Sequence, residues 1–201
     1  MGYKRCPRCE LNYIKDTEEL CDVCASGQDG LSSGSKPLVK HKGRNIFMVF
    51  QGQNYLEELS NGYICAPYED AAGNSPVHWS MLENVNLGDI IFHGLKQEIA
   101  AISIATSSCF SSKKNTGEAI RKVNCKPSLI HSKISTKDFQ EEIKITCANT
   151  KYQPFDKNAD GRQGYLFDLN DNLAGIFVRA LINKNPNLLN NIPELKDLKN
   201  L

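Results

Sequence analysis

Four cysteines near the start of the chain have the spacing of a metal site. Cys6 and Cys9 form one Cys-x2-Cys pair, Cys21 and Cys24 form another, and eleven residues separate the pairs. Two residues between cysteines let one tight turn aim both sulfurs at the same ion. Two such turns supply the closed tetrahedral thiolate shell that structural zinc prefers. Pro7 stiffens the first turn, and Glu10 to Leu20 is long enough for a short hairpin. Four thiolates leave no open coordination position, so the expectation is one structural Zn2+ in a zinc ribbon and no catalytic metal.

The other four cysteines, Cys65, Cys109, Cys125 and Cys147, share no close spacing and read as free thiols, several of them buried. His41, His78, His93 and His131 are scattered and form no HExxH pair. His93 ends an apolar run and reads as a packed or hydrogen-bonded core histidine, while His78 stands next to Trp79 and could line a pocket. Glu142-Ile143-Lys144 has the Glu-x-Lys form of a restriction-nuclease core, but no partner aspartate precedes it in a strand-turn. Nucleophile triads, a phosphate-binding GxxxxGK loop and a dinucleotide fingerprint are absent from the sequence. The expectation is a chain that binds and has no catalytic residues.

These residues need elements to hold them. The 201 residues suffice for one good domain and a small appendage. Apolar content of 40% and charged content of 23% are those of a globular protein. The net charge of +1 means that any polyanion-binding surface must come from local clustering. No run of 18 apolar residues is present and the first residues lack a signal-peptide core, so the expectation is a cytoplasmic protein without membrane contact.

Residues 1–25 are cysteine-patterned, 26–43 read as a linker whose first part is almost purely Gly, Ser and polar, and 44–201 read as the main domain. Ile46 to Phe50 and Tyr63 to Ala66 are short apolar runs of strand type, and Asp89 to His93 with Ile99 to Ala105 look like hairpin partners. A strand is expected near Ile143 to Thr146. A helix is expected over about 171–185, capped by Asn170 or Asp171 and ended by Pro186, with a shorter helix from Pro193 onward. Short strands without βαβ alternation predict an α+β fold, a small curved sheet or barrel flanked by helices.

The run from Phe47 to Ile104 carries a recognisable set of motifs: an opening strand with a polar turn at Gln51-Gly52-Gln53-Asn54, Gly62-Tyr63-Ile64-Cys65-Ala66-Pro67, His78-Trp79 with Met81, and Gly88-Asp89-Ile90-Ile91-Phe92-His93 followed by an Ile-rich strand. Gly164 to Leu169 completes it. The set resembles the EVE-like branch of the PUA superfamily, related to YTH readers, and in particular the modules joined to nuclease or motor domains in modification-dependent restriction proteins. The resemblance covers about 45–185. It implies a compact barrel whose pocket takes a flipped, modified base of DNA, with RNA as the alternative partner. It also implies a nuclease or motor partner for the module.

By the same resemblance Phe50, Gln51 and Gly52 form the pocket floor, with Cys65 and Ala66 at its wall and Tyr55 at its rim. Many members carry tryptophan at the position of Cys65, so that wall differs in character here. Trp79, the single tryptophan of the chain, stands in a loop-like context as a lid over the base or as a core-packing residue. Stacking on an aromatic contributes roughly 1–3 kcal/mol per base, enough to offset much of the cost of unstacking it. Residues 111–133 contain Lys113, Lys114, Arg121, Lys122, Lys126 and Lys133 against one acid, Glu118, and Ser107 and Ser108 stand just before them. That composition suits phosphate contacts, which position a nucleic acid without reading it. A solvated basic surface is the competing reading.

Overall fold

The computed structural model describes residues 44–147 and 152–200, together with the backbone of 3–5 and 13–15 and the single residues 17 and 19. Strands β1 (Tyr3–Arg5) and β2 (Tyr13–Lys15) pair antiparallel, Tyr3 opposite Lys15. Cys6, Cys9, Cys21 and Cys24 themselves, and the linker expected over 26–43, lie outside the described residues.

The main body is α+β, a strongly curled mixed sheet forming a half-barrel flanked by helices. Its strands are β3 (Ile46–Phe50), β4 (Tyr63–Pro67), β5 (Ile90–Leu95), β6 (Glu98–Ala105), β7 (Phe110–Lys113), β8 (Ala119–Ser135) and β9 (Leu166–Asp168). The order is β4-β8-β6-β5-β3-β9, with β7 added beside β8. β3 runs parallel to β5 and the other pairs are antiparallel.

The apolar run Ile46 to Phe50 is continuous because both faces of β3 are covered. Ile46 and Met48 enter one core cluster, with Phe92, Ile102 and Ile130. Phe47 and Val49 enter the other, with Ile64, Leu82, Ile91 and Val123. Strand side chains alternate with period two, so a strand buried on both faces shows no polar alternation.

Helix α1 (Tyr55–Asn61) follows the polar turn after β3, and the short helix α2 (Val77–Ser80) precedes a 3-10 turn at Met81–Asn84. Helix α3 spans Gln140–Cys147, where the sequence suggested a strand. Ile143 and Cys147, four residues apart, are buried, whereas Ile145 is 76% exposed. A strand would have put Ile143 and Ile145 on one face; a helix puts them on opposite sides.

Helix α4 (Asp171–Lys184) lays Leu173, Phe177, Val178 and Leu181 on the first core cluster. Asn170 caps it, its carboxamide oxygen accepting from the amides of Asn172 and Leu173 at 2.9 and 3.3 Å. After Pro186 the chain forms α5 (Leu188–Asn191), then 3-10 turns at Pro193–Lys196 and Leu198–Asn200 in place of the helix expected there. Among the described residues no helix is long and apolar enough to cross a membrane.

The β5–β6 pair is a hairpin, as the sequence suggested, turning through Lys96 and Gln97. Both adopt left-handed backbone, with φ of 49° and 64°, the geometry of a tight primed turn that usually selects Asn or Gly. Thr136 holds it in place, donating its amide at 2.8 Å and its hydroxyl at 3.2 Å to the Gln97 carbonyl.

Candidate functional site

The end of β3 opens into a cleft of about 380 Å³. Volumes of roughly 300–1,000 Å³ suit small ligands, so the cleft is large enough for one planar group and its substituents. Phe50, Gln51 and Gly52 line one side. Lys96 at the hairpin tip, with Asp160 and Arg162 from the segment before β9, lines the cleft as well.

Phe50 is a firmly held ring. Its centroid lies 5.6 Å from that of Phe155 and 5.7 Å from that of Phe167, both edge-on. Gly94 and Gly161 approach it so closely that a Cβ on either would come within 2.6 and 2.9 Å of ring carbons. A Cβ on Gly52 would meet nothing within 4 Å, so that position faces open space.

The charges at the rim are mostly committed. Asp160 accepts from Lys137 and from the Gln97 carboxamide, each at 2.8 Å. Glu98 pairs with Lys133 at 3.2 Å. Arg162 is anchored through Nε to the Phe155 carbonyl at 3.2 Å.

Behind the cleft runs a buried polar chain. His93, 1% exposed, bonds through Nδ1 to Gln51 Oε1 at 2.6 Å and through Nε2 to Ser103 Oγ at 2.7 Å. The Gln51 amide nitrogen donates to Glu58 Oε2. Tyr165 donates its hydroxyl to the same oxygen at 2.5 Å, and the Cys65 thiol reaches Glu58 Oε1 at 3.7 Å. The Cys65 amide donates to the Tyr165 hydroxyl at 3.0 Å.

Glu58 is 1% exposed and its partners are neutral groups. Burial raises its pKa, with its hydrogen bonds opposing the shift. Burial alone lowers His93 to about 3 and, with the nearby Glu58 charge, raises Cys65 to about 12. The imidazole and the thiol are therefore neutral at neutral pH. His93 is the hydrogen-bonded core histidine that the sequence suggested.

The other sequence-derived candidates are dispersed. Tyr55 is buried at the start of α1 and not at a rim. Ala66 is buried in the second core cluster. Trp79 is half-buried on α2, a helix rather than a loop, and packs on the second cluster beside Tyr165 and Met81, away from the cleft lining. Ser107 accepts from the Asn124 amide at 3.0 Å, and Ser108 is exposed.

Residues 111–133 form β7, a tight connection and most of β8. The register sets Cys65, Lys122 and Phe110 side by side across β4, β8 and β7. Lys122 lies 4.1 Å from the centre of the Tyr63 ring. Lys113 is exposed, and Lys114 pairs with Glu118 at 2.9 Å.

Arg121 differs from these lysines. It is buried, donating to Glu83 at 2.6 Å and to the Pro67 and Tyr68 carbonyls at 3.0 and 3.1 Å. It also donates to the Ser75 hydroxyl at 3.2 Å and sits 4.2 Å above the Tyr68 ring.

Glu142 and Lys144 are exposed on α3, and the strand that a nuclease core would require is not formed there. Cys65, Cys109, Cys125 and Cys147 are free thiols, two of them buried. Among the described residues no group of three or more His, Cys, Asp or Glu side chains could hold a metal.

The sequence reading did not find Glu58, Ser103, Lys96, Arg162 or Tyr165. Glu58 had one usable signal, its place one turn after Tyr55 on the buried side of a short helix. No family model matches this sequence, and no curated protein matches it.

Proposed function

We propose that the chain is a nucleic-acid-binding module that takes one unstacked, modified base of DNA into the cleft beside Phe50. Gln51 and Gly52 supply polar backbone at the base edge. The observation that carries this reading is the cleft itself: Phe50, Gln51 and Gly52, the three residues that the EVE-like resemblance puts on a pocket floor, line it together.

An aromatic ring packed against two glycines and two phenylalanines cannot swing away, and a fixed π face is what a captured base stacks on. Lys122, with the aromatic rings of Tyr63 and Phe110, offers a backbone-tracking strip on one face of β4, β8 and β7, and Lys113 and Lys114 add charge at the end of β7. Arg121 and Trp79 do not belong to the binding set. In this reading Cys6, Cys9, Cys21 and Cys24 hold a structural Zn2+, and a nuclease or motor partner acts on the DNA so marked.

The test is a binding panel of one oligonucleotide sequence, as DNA and RNA, unmodified and carrying methylated or hydroxymethylated cytosine or methylated adenine. It is run on the wild type and on Gly52→Phe. The new ring would project into open space, so the variant folds with the cleft filled. Preference for one modified strand should fall at least tenfold in the variant, while weak salt-sensitive attachment survives. A preferred RNA strand would move the reading to RNA. Equal preference in both proteins would remove the cleft from recognition.

A further inference from the structure

The polar chain behind the cleft has a direction, and that direction is set at one end. Ionised Glu58 can only accept hydrogen bonds, so it fixes the Gln51 amide nitrogen toward itself and the Gln51 oxygen toward His93. His93 must then carry its proton on Nδ1 and accept from the Ser103 hydroxyl at Nε2.

We propose that Glu58 and His93 are positioning residues for the Gln51 carboxamide, and that one proton taken up by Glu58 reverses the chain from Glu58 to Ser103. Protonated Glu58 donates to the Gln51 oxygen after a half-turn of the carboxamide. The Gln51 nitrogen then donates to His93 Nδ1, and His93, its proton now on Nε2, donates to Ser103. One proton enters from solvent, no covalent bond other than N–H and O–H changes, and His93 stays neutral in both states.

Both arrangements give each contact of the buried chain one donor and one acceptor, which lets two states lie close in free energy. Tyr165 and Cys65 keep donating to the Glu58 carboxyl in either one.

Burial and the Glu57 charge favour proton uptake by Glu58, and the hydrogen bonds from Tyr165, Gln51 and Cys65 oppose it. Among the groups facing Glu58, Glu57 stands beside it on α1, Tyr63 and Cys65 come from β4, Cys125 from β8, and Tyr165 precedes β9. Lys114 and Lys122 lie near Cys65 and favour its ionised form against burial. Burial raises Glu58 and holds His93 far below its ordinary range, so the carboxyl and not the imidazole is the group that charges. Gln51 lines the cleft, so a bound base would meet the reversed amide. That last consequence rests on the base-capture reading; the switch itself does not.

The test is nitrogen-15 histidine NMR of the ligand-free full chain from pH 8.5 down to pH 5, with His93 assigned by its loss in His93→Asn. The expected result is an Nδ1–H tautomer at high pH passing to Nε2–H in a single transition, without imidazolium. In Glu58→Gln the tautomer should not vary with pH. A single tautomer throughout in the wild type, an imidazolium signal, or an unchanged transition in Glu58→Gln would overturn the proposal. Oligonucleotide binding at both ends of the range separates the two readings. Exchange of tautomers without binding of a modified strand leaves the switch and removes base capture, and binding with a fixed tautomer does the reverse.

Discussion

Replacing Arg121 by alanine should unfold the protein more readily and leave nucleic-acid affinity per folded molecule unchanged. The side chain is 7% exposed whereas that of its partner Glu83 is 56% exposed, so the lost ion pair strands no buried carboxylate. What is lost is a charged fork donating to the Pro67 and Tyr68 carbonyls and to Ser75, together with contact to the Tyr68 ring. Hydrogen bonds from a charged donor contribute roughly 1.5–3 kcal/mol each, and a cation over a ring about 1 kcal/mol. Water entering the space left by alanine rehydrates part of this, which brings the expected cost to about 3 kcal/mol. For a domain of this size that corresponds to a fall in Tm of roughly 6–12 °C. The assay pairs calorimetry with a salt titration of oligonucleotide binding. The triple variant Lys113→Ala, Lys114→Ala, Lys122→Ala should show the opposite pattern, a Tm near wild type and a salt slope flatter by about 2–3, one counterion per lost phosphate contact. An Arg121→Ala protein with wild-type Tm and a flattened salt slope would refute the assignment of Arg121 as an anchor.

Asp168 and His93 give opposing pH dependences. Asp168 is raised to about 6 by burial and by the Asp171 charge, so its ionisation destabilises the fold above that pH. Asp168→Asn should therefore gain about 1–3 kcal/mol at pH 8 and nothing at pH 4, as read by denaturant midpoints. The unfolded His93 takes up a proton below about pH 6.5 and the folded one only near 3. Its neutral burial thus costs about 1.4 kcal/mol per pH unit of acidification across that window, and acid unfolding of Asp168→Asn should be steeper than that of the wild type between pH 6 and 4. At the other end of the chain, purified protein should contain one zinc, and Cys9→Ser should release it while leaving the Tm of the main body unchanged. Absence of zinc in protein prepared without chelator would refute the four-thiolate site.

The elements that the sequence exposes are those whose burial pattern is simple. β3 reads correctly because unbroken apolar character is what two covered faces require, and α4 because Leu173, Phe177 and Leu181 recur at helical spacing between Asn170 and Pro186. Residues 143–146 mislead because Ile143 and Ile145 alternate like a strand while the tertiary fold buries only the first. Composition cannot distinguish a surface isoleucine from a core one. The Lys96-Gln97 turn carries no turn signature either, because Thr136, forty residues away in the chain, imposes its left-handed backbone.

The site was legible in part for a related reason. Phe50, Gln51 and Gly52 are consecutive, so one motif suffices to find them. The chain that orients Gln51 draws on Glu58, Cys65, His93, Ser103 and Tyr165, five residues that share no motif and meet only when α1 folds against the half-barrel. Each taken singly has an ordinary explanation: a helix glutamate, a strand cysteine, a core histidine. Their meaning comes from hydrogen-bond direction, which is a property of the closed set. An acceptor-only carboxylate at one end determines the amide, the amide determines the tautomer, and the tautomer determines the serine. The same logic explains why Arg121 reads as a phosphate ligand in the sequence and stands as an anchor in the fold. A lysine-rich stretch shows its charge in the sequence, but whether one cation turns inward depends on acceptors at Pro67, Tyr68 and Ser75, more than forty residues earlier.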